Sequence, residues 1–112
     1  MKNPNLIEDL VRYLDLEIPY RIIIKPKLSD NACGEYVEMR RKGKLFQHRV
    51  TLGADWFNQR SFESLVAHEL IHAWQVEWTT EKKHHGKEFR RMARNIEQEF
   101  GIPNVFIKGV DI

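Results

Sequence analysis

Between Leu65 and Trp74 the chain sets His68-Glu69-Leu70-Ile71-His72 into a run whose other members, Leu65, Val66, Ala67, Ala73 and Trp74, are apolar or small. One local structure suits that pattern. On an α-helix, residues four apart project from the same face, so both imidazoles can be aimed at one point while the apolar positions face a core. Ser61 is a suitable N-cap, and the pattern predicts a helix running to about Trp78.

Two histidines at this spacing can bind one zinc ion through nitrogens roughly 2.0–2.1 Å from it. Glu69 lies on the same half of the helix, within reach of a water bound to that ion without itself being a ligand. A catalytic zinc takes three protein ligands and keeps a fourth position for that water, which Glu69 would activate as general base before passing the proton to a leaving amine. The metal ligands expected are therefore His68, His72 and one more. A third histidine six residues beyond the second is excluded, because position 78 is Trp and Gln75 stands where that pattern has glycine. His85 is the best-placed remaining donor, since a loop can turn back there and Gly86 allows close backbone approach. His84 is its rival; Glu88, Glu97 and Cys33 rank below.

The rest of the chain predicts an α+β domain over residues 1–112. Asn3-Pro4 reads as a helix N-cap and first position, followed by Leu6, Ile7, Leu10, Val11 and Leu14 at helical spacing, with a stop before Pro19. Tyr20 to Lys25 reads as a buried strand. Leu28 to Cys33 reads as a loop, and Glu35 to Arg40 and Leu45 to Leu52 as strands joined by the basic turn Arg41-Lys42-Gly43-Lys44. A small three-stranded sheet of antiparallel type is expected. After a polar connector from Thr79 to His85, the residues Phe89, Met92, Ala93, Ile96 and Phe100 predict a last helix, stopped by Gly101 and Pro103. Asn104 to Ile112 is expected to be a short strand or a tail.

Composition narrows the function class by exclusion. Hydrophobic residues make up 42% and charged residues 30%, enough apolar material for one modest core. A net charge of +2 is too mild to imply a nucleic-acid partner by itself. The lone Cys33 excludes an internal disulfide and a cysteine-only zinc ribbon. No signal-peptide pattern and no run near the ~20 apolar residues of a membrane span are present, so an intracellular protein of cytoplasm or nucleus, a monomer without membrane contact, is expected.

Four segments together resemble the SprT-like family, which includes the Spartan proteases. They are Cys33-Gly34-Glu35-Tyr36, the strand end His48-Arg49-Val50-Thr51-Leu52, Ser64 to Trp74 around the histidine motif, and His85-Gly86-Lys87-Glu88-Phe89. The resemblance covers roughly residues 20 to 100. It implies a minimal zincin-like domain, Zn2+ held by His68, His72 and His85, and Glu69 as the catalytic carboxylate. It also implies a protein substrate bound or crosslinked to DNA, with stimulation by single-stranded or damaged DNA and a role in DNA repair. Many relatives add a cysteine zinc ribbon or other DNA-binding segments after this core. The present chain carries no such cysteines, so DNA contact is expected from the core itself or from a partner.

Within the core, Lys87, Arg90, Arg91 and Arg94 share a helical stripe, and Arg40, Arg41, Lys42 and Lys44 surround the hairpin turn. Either group can meet phosphates, and each is also an ordinary solvated face. Among the tryptophans, Trp56 and Trp78 are better placed than Trp74 to stack on a base. A strand near His48 to Leu52 is expected to pair with a peptide substrate. Two other readings remain: a non-catalytic, zinc-stabilised nucleic-acid-associated module, against which Glu69 speaks, and a zinc hydrolase of a small non-peptide substrate. A deep, narrow pocket would favour the last, an open groove beside a strand the protease.

Overall fold

In the computed structural model, which describes residues 3–108, the elements run in the order α1 (Leu6–Tyr13), β1 (Tyr20–Lys25), β2 (Gly34–Arg41), β3 (Lys44–Gly53), α2 (Phe62–Trp78) and α3 (Lys87–Phe100), with single 3₁₀ turns at Ser29–Asn31 and Ala54–Trp56. This is the expected α+β composition, but the sheet is mixed. Its order is β1-β3-β2, with β3 antiparallel to β2 and parallel to β1. Side-chain alternation has the same period in both kinds of pairing, so the sequence pattern could not distinguish them. What decides is burial: Val50 and Leu52 are fully enclosed, and β3 therefore takes the middle. β1 is consequently an edge strand with Ile24 exposed, not the buried strand its composition predicts.

The β2–β3 hairpin turns at Lys42 and Gly43, whose φ angles of 53° and 79° are the left-handed pair that matches the twist of the flanking strands. At the N-terminus, Asn3 Oδ1 accepts the Asn5 amide (2.9 Å), but α-helical structure begins only at Leu6. Leu6 and Leu10 on α1, with Leu14 just beyond it, pack into the core.

α2 is the axis of the molecule. Ser61 caps it as expected, its side chain accepting the Ser64 amide at 3.1 Å. Leu65, Val66, Ala67, Leu70, Ile71 and Ala73 are all buried, because the helix is covered by the sheet, α1 and α3. α3 contributes Phe89, Ala93 and Ile96 and ends at Gly101 in the left-handed conformation (φ 65°).

The segment after α3 is neither strand nor loose tail as far as Lys108. Ile102, Val105 and Phe106 are buried. Polar ties hold the backbone: Ser64 Oγ donates to the Pro103 carbonyl, Arg60 to those of Asn104 (2.7 Å) and Val105 (3.2 Å), and the Val105 amide donates to Glu97 (3.0 Å). The expectation for 109–112 lies outside the described residues. Among those described, no helix is long and apolar enough to cross a membrane.

Candidate metal centre

One helical turn of α2 carries His68 and His72, and the loop before α3 returns His85 to face them. His68 Nε2 and His85 Nε2 are 3.1 Å apart, and one ligand nitrogen from each of the three rings lies within 4.8 Å of the others. Three nitrogens bound to a tetrahedral zinc at 2.0–2.1 Å would stand about 3.3 Å apart, close to the His68–His85 spacing and within the span of the cluster, so the three rings could hold such an ion. The charge state also fits. Burial pushes the His72 pKa down from 6.5 to about 3, with neighbouring His68 adding to the effect, and a neutral imidazole is the form that binds a metal.

Each α2 imidazole is oriented through its other nitrogen. His68 Nδ1 donates to the Val105 carbonyl (2.8 Å), which turns Nε2 toward the cluster as the atom that could bind a metal. His72 Nδ1 donates to Gln75 Oε1 (3.0 Å), with the same consequence. Phe89 forms the floor. Its ring centroid is 4.9 Å from that of His68, 4.7 Å from His72 and 4.9 Å from His85. That common contact is a physical reason for the spacing His85-Gly86-Lys87-Glu88-Phe89: one turn into α3, position 89 falls beneath all three rings.

The other candidate ligands are placed elsewhere. Glu97 is bound to Arg94 and the Val105 amide, Glu88 is exposed, and Cys33 lies along the groove beside the site. His84 approaches the edge of the His72 ring at a centroid distance of 5.7 Å but is not part of the converging group.

Glu69 is buried to 5% exposure and faces β2. The contact is so close that a Cβ added to Gly34 would lie 2.5 Å from Glu69 Oε2. Tyr36, two residues along β2, stacks against His72 with centroids 6.1 Å apart. Its hydroxyl bonds His48 Nδ1 at 2.7 Å, and His48 Nε2 bonds Glu77 Oε2 at 2.5 Å. Glu77 also accepts the amides of Glu17 (2.8 Å) and Ile18 (3.2 Å), joining α2 to the segment before β1. Burial raises the Tyr36 phenol above its ordinary range, so it remains protonated. Sequence reasoning singled out neither His48 nor Glu77 as a polar partner. They are far apart in the chain, and only the packing of β3 against α2 pairs them.

A groove of about 1260 Å³ passes over the site, with residues 31–38 along one wall and Thr79 to His85 along the other. Its strand wall is β2, not β3. β3 is paired on both sides and has no edge to offer a peptide, which corrects the expectation for His48 to Leu52. The Gly53 amide donates to the Cys33 carbonyl (3.0 Å), so by the alternation of an antiparallel ladder the backbone groups of Gly34, Tyr36 and Glu38 point away from β3. Trp56 lines this groove, whereas Trp78 is exposed and donates to the Asp15 carbonyl.

The basic residues are partly engaged. Arg94 is held by Glu97 and the Phe106 carbonyl, Arg40 by Glu38 and the Gly43 carbonyl, and Arg41 lies over the Phe46 ring. On the far side of His85, Lys82, Lys83, Lys87, Arg90 and Lys108 line a second cleft of about 830 Å³.

The model of the SprT-like family matches residues 20–108 of the chain. No curated protein and no solved structure matches it.

Proposed function

The chain belongs to the SprT-like family, which is generally associated with metallopeptidase-like activity, and on that premise we propose that it is a zinc-dependent protease acting on proteins bound or crosslinked to DNA. The observation that carries the reading is the groove. It runs along the free edge of β2 and passes both the three histidines and Glu69. An extended polypeptide can add to that edge as a further strand, whereas a small substrate calls for a more enclosed pocket.

His68, His72 and His85 would hold the zinc. When bound, it supplies Lewis acidity at the scissile carbonyl and favours ionisation of water near neutral pH. The remaining work belongs to this chain. The outward backbone groups of Gly34, Tyr36 and Glu38 align the peptide. Glu69, held between α2 and Gly34, takes the proton from the attacking water and delivers it to the leaving amine nitrogen. Val105 and Gln75 keep the two α2 imidazoles in the tautomer that presents Nε2. The cationic cleft beside His85 supports a polyanion next to the cutting site, which suits a substrate carried on DNA.

The test is Glu69→Gln. With a DNA-binding protein as substrate, assayed with and without single-stranded DNA, the variant should retain zinc and lose proteolysis. An unchanged rate would overturn the mechanism, and cleavage of free and DNA-bound protein at equal rates would remove the DNA component.

A further inference from the structure

Glu81 lies in the connector between α2 and α3, outside every motif, yet its carboxylate accepts donors from two directions. Gln75 Nε2 reaches Oε1 at 2.7 Å, the Glu88 amide reaches Oε2 at 2.9 Å, and the Phe89 amide reaches Oε1 at 3.0 Å. The last two are first-turn amides of α3, which have no partner within their own helix. The residue preceding that helix is Gly86, which has no side chain to cap them. Glu81 therefore caps α3 from five residues upstream, placing a negative charge at the positive end of the helix. Gly86 is required for this: a Cβ there would lie 2.3 Å from Glu81 Oε2.

Gln75 carries the connection onward. It is buried, donates its other bond to the Lys83 carbonyl (3.0 Å), and accepts from His72 Nδ1 (3.0 Å). The result is an unbroken path from the His72 imidazole through Gln75 and Glu81 to the first turn of α3. His85 sits immediately before that turn, and Phe89, under all three imidazoles, sits within it.

We propose that Glu81, acting through Gln75, is a positioning residue that sets His72 and His85 together, so that metal binding and the ordering of groove wall 79–85 are one event. Both residues border the groove, and neither belongs to the converging donors. Gln75 fixes the tautomer of one ligand, and Glu81 fixes where α3 starts and hence where the other ligand and the aromatic floor stand. Burial works to raise the Glu81 pKa, but the bonds from Glu88, Gln75 and Phe89 outweigh it and keep the carboxylate ionised. The proposal rests on the reading of the three histidines as zinc ligands.

The experiment measures Zn2+ affinity of the full chain by chelator competition in wild type, Gln75→Met, Glu81→Ala and the double variant, with the thermal midpoint of each metal-free protein recorded alongside. Each single variant should weaken zinc binding on the order of 10–100-fold. The double variant should lose less than the product of the two single losses, because Gln75 and Glu81 share a bond that either change removes. Leu10→Ala, a core change on α1, should lower the midpoint and leave zinc affinity within about threefold, which separates positioning from general destabilisation. Wild-type affinity in Glu81→Ala, or losses that multiply in the double variant, would overturn the proposal. Should Glu81→Ala fail to fold, amide exchange of wild type decides: zinc should protect residues 81–89 as a block, and protection confined to the His68–His72 turn would overturn it. A wild type that binds no zinc would overturn the reading of the histidines themselves.

Discussion

Gly34 and Glu69 meet so closely that a methyl group on the glycine would occupy the space 2.5 Å from the carboxylate oxygen. The backbone of Gly34 is not left-handed, so the demand is for space alone. The obstructing atom is the end of a flexible side chain, and the fold can yield by swinging Glu69 aside. Gly34→Ala should therefore keep its zinc and most of its stability while proteolysis falls on the order of 100-fold, the scale expected for an ångström of misplacement at a reacting group. Zinc content, thermal midpoint and cleavage rate measured on one preparation check this. Full activity would show that Glu69 is not held in place by β2.

The free edge of β2 gives a second expectation. Proline is tolerated where a strand amide faces away from its partner strand, and Glu38 is such a position. Glu38→Pro should fold, bind zinc as wild type does, and raise KM for a polypeptide substrate several-fold. Val50→Pro strikes the central strand at a fully buried position and should abolish folding. Circular dichroism with steady-state kinetics distinguishes the two outcomes.

Acid should destabilise the metal-free protein. His72 has a folded pKa of about 3 against 6.5 when unperturbed, so between those values the unfolded chain binds a proton that the native state refuses. Its contribution to stability is complete above pH 6.5 and is lost as pH falls toward 3. Glu81, held below its ordinary 4.5, adds a loss of the same sign below that pH. The thermal midpoint of metal-free protein should thus decline steadily below about pH 6.5, and His72→Gln should flatten the profile between roughly pH 5 and 6.5. A flat wild-type profile would contradict the assignment.

Glu77 tests the packing behind the site. His48 is fully buried, and Glu77 is both its partner and the acceptor for two backbone amides. Glu77→Ala should cost roughly 2–4 kcal/mol by leaving those groups unsatisfied. Urea denaturation measures the cost. Because Glu77 lies outside the path from His72 to α3, zinc affinity of the folded variant should stay near wild type.

The local features of this chain were legible in its sequence because each depends on neighbours along the chain. Helical periodicity placed α2 around His68, Glu69 and His72; Ser61 and Gly101 marked helix ends by capping chemistry; and His85, ranked ahead of His84, is the histidine that converges with the pair on α2. Tertiary structure decided what depends on residues distant in sequence. The parallel pairing of β1 with β3 made β2 the groove edge, and return of the segment after α3 brought the Val105 carbonyl to His68 Nδ1. Packing of β3 on α2 joined His48 to Glu77, and the connector folded Glu81 onto the start of α3. A one-dimensional pattern reports which face a side chain takes. It does not report which remote backbone group that face will meet, and the orientation of the His68 imidazole depends on such a meeting.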